Sequence, residues 1–554
     1  MNQLTNQHPS FYESLSLFLE MPSSFIDESS KAKTGAFLFA YETTVSLLNT
    51  HFKQLYIITD STVEKARNFC QIHNISSPYQ IIKLSDIATI SKTNDRLIYF
   101  STEMSCLPFL KYRNYFNLPI PVLACFHSLA LKPHYYLLRT FFTELNKSDS
   151  VIVASDQSKQ AILNFLSTQK IDPEFTIKKI LYGINTTIFK PCSQEQKEAL
   201  RKKYRLPKDA IIWLFLARLD PFTKGNILSF FETLSKLLTI NKNFHVLIVG
   251  DNVFAPYTEK IQTYFFNNHP SQSRTIINPS RKAIPEFYQL ADAFISPSEL
   301  FETFGLTVVE AMASELPVFI SDSGAYQNLI THKKEGLFIH TIFNTSLPFA
   351  TIFNTTLDSD WSQYLFQSIT FDSDPFLKTI KKWNTPDISQ RFKNMGKNGR
   401  KKAIKSFDIK LFISNCLRYI EKVSTDLVLN THINSPKPLN PSLQLQLIRP
   451  TTPDAELKII DAEFIHLHIT DYGTKLLNNE RPFLLSKTHL KTYPKLNSLI
   501  TTLKKLSDTN PTAPSLSSIA ITCNMDITDS LTYVVFLQKI CILKLTSTKQ
   551  SQRL

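Results

Sequence analysis

From residue 208 to residue 340 the chain alternates between short, uninterrupted apolar runs and longer segments of helical periodicity. The apolar runs are "AIIWLFLARLD", "FHVLIVGD", "RTIIN", "PVFISDS" and "EGLFIH"; the helical segments are "NILSFFETLSKLLTI", "APYTEKIQTYFFNN", "IPEFYQLADAF" and "GAYQNLITH". A strand with no polar face has to be covered on both sides, so this rhythm predicts βαβ units around a parallel sheet. A weaker version runs from about 35 to 190, with strands expected at "AFLFAY", "QLYIIT", "RLIYFS", "PVLACF", "SVIVAS" and "TIKKILYG". The fold class is therefore α/β, with two Rossmann-like domains at 1–190 and 191–425.

A chain of 554 residues exceeds what one core supports. Beyond about 425 the segment "THINSPKPLNPSLQLQLIRPTTP" reads as a Pro-rich linker, 426–454. Residues 455–554 are expected to form a small α+β module of winged-helix type, with strands in "EFIHLHIT" and "LTYVVFLQKICILKLT". A near-duplication, "TIFNTSLPFATIFNTTL", falls at 341–357 and reads as an insertion loop or hairpin, since stacking repeats need three or more units.

No run of eighteen apolar residues occurs and the N-terminus lacks a basic segment followed by an apolar one, so a cytoplasmic protein is expected. Seven scattered cysteines without a CxxC pair support neither a disulfide framework nor a zinc ribbon. The net charge of +14 is concentrated: residues 378–405 hold ten Lys or Arg against Asp387 alone, and 481–505 hold six with no acid. Such runs attract phosphates on nucleotides, nucleic acid or anionic lipid, and they are equally what a solvated helix face looks like. No aromatic ladder accompanies the C-terminal lysines, which argues against nucleic acid.

In parallel α/β sheets ligands sit at the carboxyl ends of the strands. In the second domain those positions are Arg218 and Lys224 in "LARLDPFTKGN", Gly250 and Asp251 in "IVGDN", Glu302 to Thr307 in "ETFGLT", and Gly324 in "SDSGA". Arg218, Lys224 and a glycine-led helix start at Gly305 suit a diphosphate: two cations and several free N–H groups facing its oxygens. Glu302 precedes that helix and Glu310 lies inside it, two carboxylates able to accept from the vicinal hydroxyls of sugars. A capping acid at 302 and a solvated acid at 310 account for each glutamate alone, though not for their setting.

The segments "YGINTTIFKP", "LARLDPFTKG", "VLIVGD", "FYQLADAFISPSELFETFGLTVVEAMASELPVFISDSGA", "EGLFI" and "MGKNGRKKAIKSFD", in this order across about 180–408, resemble the retaining GT-B glycosyltransferases of the group 1 type, also called family 4. The resemblance implies transfer of a sugar from a nucleotide-sugar to an acceptor hydroxyl, with retention, in a cleft between two Rossmann-like domains and without an obligatory metal or cofactor. Arg218 and Lys224 would neutralise the departing diphosphate, and the backbone N–H groups of Gly305, Leu306 and Thr307 would cap its distal phosphate. Glu310 would bind ribose hydroxyls, and Glu302 those of the donor sugar. His127, in "FHSLALKP", would line the acceptor side, where a core histidine remains the alternative. The acceptor would be a glycan, a lipid-linked chain or a protein; from their charge alone, the basic runs are also candidates for peripheral contact with an anionic membrane.

The chain departs from the family's pattern where "ASELPV" stands for "ACGLPV" and "GAYQN" for "GGIPE", which leaves the donor open, and its glycine-rich N-terminal loop is represented only by Gly35. An epimerase on the same scaffold, or a retired scaffold serving as a binding protein, are the alternative readings.

Overall fold

The computed structural model describes residues 14–22, 35–75, 77–92, 96–102, 106–127, 132–220, 230–298, 302–343, 369–381, 386–429, 465–469 and 543–547, with single positions 499, 519, 521 and 523. These residues divide into two compact units, each built around a seven-stranded sheet.

The first unit orders its strands β3-β2-β1-β4-β5-β6-β7, all parallel. They are β1 (Ser16–Glu20), β2 (Gln54–Ile58), β3 (Tyr79–Ile82), β4 (Leu97–Ser101), β5 (Val122–Cys125), β6 (Ser150–Val153) and β7 (Thr176–Lys179). The central strands are buried on both faces, as their unbroken apolar runs require. One expected strand is a helix. "AFLFAY" lies in α1 (Gly35–Leu48), where Phe39, Ala40, Thr43, Thr44, Leu47 and Leu48 are buried at three- and four-residue spacing. A six-residue apolar run fits either periodicity; the seven residues after it carry the helical one. The first strand is instead "SLFLE", further upstream.

The second unit orders its strands β10-β9-β8-β11-β12-β13-β14: β8 (Ile211–Leu216), β9 (Phe244–Gly250), β10 (Ser273–Ile277), β11 (Ala293–Ser296), β12 (Val318–Ser321), β13 (Gly336–Phe343) and β14 (Ile369–Asp372). Six are parallel, and β14 pairs antiparallel with β13 at the edge, His340 opposite Asp372. Four helices matter for the site and its surroundings: α2 (Ile284–Leu290), α3 (Leu306–Ala313), α4 (Tyr326–Leu329) and α5 (Asp374–Ile380). The expected helix "IPEFYQLADAF" stops at Leu290, and its last residues start β11. Asp292 sets that junction by accepting from the Ile212 N–H at 2.7 Å and from Arg201 at 2.6 Å. The core beneath is aromatic: Trp213 packs against Phe319 (centroids 4.9 Å) and edge-on to Phe376 (6.0 Å).

α6 (Pro386–Ser406) follows, and then α7 (Ile409–Leu429), which corrects the expected boundaries. The first division falls between Thr186 and Thr187, and from Ala403 the chain rejoins the first unit rather than completing a second domain to 425. Phe412 of α7 packs edge-on to Phe39 (4.9 Å) and Tyr182 (5.7 Å), and the Tyr419 hydroxyl shares a 2.8 Å hydrogen bond with Ser150. Gly183 lets the segment close: a Cβ there would lie 2.6 Å from Ile409 Cα.

Of the C-terminal module, the described strands β15 (Ile465–Ile469) and β16 (Leu543–Ser547) form an antiparallel ribbon. The expected linker after 429, most of the 341–357 duplication, the remainder of the winged-helix reading and the 481–505 basic run lie outside the described residues. Among the described residues no helix is long and apolar enough to cross a membrane, and the six cysteines there are free thiols.

Candidate active site

The second sheet reverses its winding between β8 and β11, and the residues singled out in that unit lie at or beyond the carboxyl ends of the strands around this point. β8 and β9 finish in close contact. Leu219 N–H donates to Asp251 O at 2.9 Å, and a Cβ on Gly250 would sit 1.9 Å from the Ala217 carbonyl oxygen. Only glycine permits that approach, which sets Arg218 beside Asp251. Burial raises the Asp251 carboxyl above its usual range while the Arg218 charge pulls it back down. Lys224 and Gly225 lie outside the described residues.

The next strand end leads to Glu302 and the start of α3. Glu302 is buried, 9% exposed, and its carbonyl accepts from Ala325 N–H at 2.8 Å. Gly305 caps α3 with φ +103°, in the left-handed region that favours glycine, and a Cβ there would lie 2.4 Å from Tyr326 Cε1. No side chain caps this helix and its first turn holds no acid. The N–H groups of Gly305, Leu306 and Thr307 accordingly have no acceptor among the described residues, and the positive end of the helix dipole is left for an anion.

A buried tyrosine stands near each glutamate. Tyr288, on α2, donates its hydroxyl to Glu310 Oε2 at 2.7 Å and approaches Thr307 O at 3.3 Å. Burial and the Glu310 charge push the Tyr288 phenol well above its usual pKa, so it remains a donor at any physiological pH. Tyr326, on α4, shares a 2.9 Å hydrogen bond with Ser296, and burial together with the Glu302 charge raises its phenol as well. At the end of β12, Ser321 Oγ donates to Ser298 O at 2.8 Å; beyond it Gly324 takes φ +59°, and the buried Ser323 hydroxyl has no partner among the described residues. No three described His, Cys, Asp or Glu side chains gather as a metal-binding group.

The sequence alone does not single out these tyrosines as part of the candidate site. Tyr288 lies 22 positions before Glu310, and no local spacing links them.

In the first unit His127 follows β5. Its Nε2 lies 2.6 Å from the Thr102 carbonyl, which requires the proton on Nε2, and its ring packs edge-on to Phe39 (5.4 Å) and tilted against Tyr182 (5.2 Å). Burial lowers its pKa to about 4, so the imidazole is neutral near pH 7.

The architecture is GT-B. Over 74% of this chain and 100% of that one, it superposes with a TM-score of 0.54 and 14% identity on Anabaena HepE, solved with UDP and glucose. Residues 196–344 match the family of group 1 glycosyl transferases, the segment that holds Arg218, Glu302, Gly305 and Glu310. The chain is 28% identical over 195 residues to the uncharacterized glycosyltransferase MJ1607 of Methanocaldococcus jannaschii, covering 35% of this chain and 47% of that protein. It is 27% identical over 216 residues to the alpha-monoglucosyldiacylglycerol synthase of Acholeplasma laidlawii, covering 37% and 52%. It thus spans about half the length of these relatives. The family match and the fold together support a group 1 glycosyltransferase.

Proposed function

We propose that the protein transfers a sugar from a nucleotide-sugar to an acceptor hydroxyl with retention of configuration and without a metal. The observation that carries this reading is the start of α3, where three backbone N–H groups with no acceptor among the described residues lie in sequence between Glu302 and a Glu310 held by Tyr288. An anionic diphosphate fits the N–H groups, and polyhydroxylated groups fit the carboxylates.

As the bond to the sugar breaks, negative charge grows on the leaving diphosphate. Arg218, Lys224 and the α3 amides would stabilise that charge more than the ground state, which is what accelerates the step. Glu302 would hold the donor sugar's hydroxyls and Glu310 those of the ribose. His127, neutral and fixed by Thr102, would serve the acceptor side. UDP is the first nucleotide to try, because HepE was solved with it, and a lipid-borne or glycan acceptor at the cytoplasmic face of a membrane accords with the lipid named in the Acholeplasma relative.

The test is thermal unfolding in EDTA of wild type and Glu310→Ala with UDP, GDP, ADP and their sugar conjugates. Ligand at a hundred times its Kd stabilises the fold by about 2.7 kcal/mol. One nucleotide series should raise the midpoint of the wild type and not of the variant; no shift with any nucleotide would overturn the donor site.

A further inference from the structure

We propose that the outer face of α6 docks the protein on an anionic lipid bilayer. The inner face fixes the helix's rotation. Phe392, Met395 and Ala403 are buried, a Cβ on Gly396 would lie 2.1 Å from the Glu315 carbonyl oxygen, and Arg400 donates inward to the carbonyls of Phe189 and Ala313. With that side seated, Lys393, Lys397, Lys401 and Lys405 are all exposed, one per turn along about 18 Å of helix.

The turn before β13 enlarges the patch. Asn398 donates to the Lys334 carbonyl at 3.1 Å, and His332 feels the charges of both Lys333 and Arg391. Lys333, Lys334 and Arg391 are exposed too. None of these cations forms a salt bridge among the described residues. Like charges four apart destabilise a helix, and the only acid in α6 is Asp387 in its first turn. A merely solvated face has no need of four lysines in register.

A phosphate-bearing surface supplies the missing counter-charge, and two features favour lipid over nucleic acid. Ile404 is 47% exposed among the lysines, an apolar residue able to enter the headgroup boundary, and the stripe carries no aromatic side chain on which a base could stack. Each lysine near an anionic surface strengthens partition about fivefold, within a Debye length of about 8 Å at physiological salt.

The experiment is flotation with vesicles of phosphatidylcholine alone or with phosphatidylglycerol, at low and high salt. It compares wild type with a variant carrying Gln at 393, 397, 401 and 405, and with a charge-matched control carrying Gln at the exposed Lys53, Lys111, Lys159 and Lys202. Wild type and control should float with the anionic vesicles only, and release at high salt. The stripe variant should lose at least tenfold in partition, with its thermal midpoint unchanged. Equal loss in both variants, no flotation of the wild type, or salt-sensitive binding to an RNA oligomer without binding to vesicles would overturn the proposal. Flotation reads this face alone, so a chain that binds nucleotide but does not float loses only the membrane contact.

Discussion

Replacing Tyr288 by Phe removes one oxygen atom. That atom donates to Glu310 at 2.7 Å and approaches Thr307 O at 3.3 Å, within a buried ring's reach of the α3 start. A hydrogen bond to a charged acceptor contributes about 1.5–3 kcal/mol net, so nucleoside diphosphate affinity should fall about ten- to hundredfold if Glu310 grips the ribose only when held by Tyr288. The ribose does not react, so the loss falls equally on ground and transition states: donor KM rises and kcat stays near wild type. Calorimetric titration of the nucleotide into wild type, Tyr288→Phe, Glu310→Ala and the double variant reads the coupling. The second substitution should add little to the first, because both break one unit. Full additivity, or unchanged affinity alongside a lowered thermal midpoint, would show that the pair only supports the fold and that Glu310 does not touch the donor.

Gly305→Ala should lower unfolding free energy by about 2–4 kcal/mol, from left-handed strain plus displacement of the Tyr326 ring, and abolish nucleotide-induced stabilisation; a wild-type midpoint would refute the close packing. Two glycines three residues apart in α6 should respond with opposite sign. Gly399→Ala meets only Met312 at 3.5 Å and should gain about 0.5–1 kcal/mol, whereas Gly396→Ala collides with Glu315 O and should lose about 1–3 kcal/mol, both read by chemical denaturation. His127 has a folded pKa depressed to about 4, so the unfolded chain binds the extra proton first as pH falls through 6.5. Its contribution is complete above pH 6.5 and is lost progressively down to pH 4, by about 3 kcal/mol at most, which the ring's partial exposure reduces. Melting curves of His127→Gln between pH 7.5 and 4 should show a shallower acid slope than wild type.

The second sheet was legible because its parallel strands are apolar on both faces, a pattern that survives without knowledge of neighbours. "AFLFAY" fits strand and helix alike because six apolar residues carry no period, and the five residues of β1 are too few to declare a strand before their partners are known. The reversal at β14 depends on the partner it finds beside β13, which lies beyond any local window. Glu302, Gly305 and Glu310 stand out in the sequence as candidates because the helix start between them has a local signature. Tyr288 does not, since its contact depends on two helices packing together, and neither does the placement of Asp251 near Arg218, which arises from strand ends touching across Gly250.

The return of the chain at Ala403 makes the first unit a late arrival on the ribosome. Its sheet is complete by Lys179, yet the helix that covers Phe39 and Tyr182 is not made until residues 187–402 have followed, on the order of 10–40 s at ordinary elongation rates. Through that interval an aromatic face that ends up buried stands open to solvent, and the second sheet, whose last strand ends at Asp372, is complete before the first unit that began the chain. A fragment cut at the sequence-level boundary near 190 would carry all seven strands of the first sheet and expose the same face permanently, so it should bind chaperones and aggregate where the full chain does not.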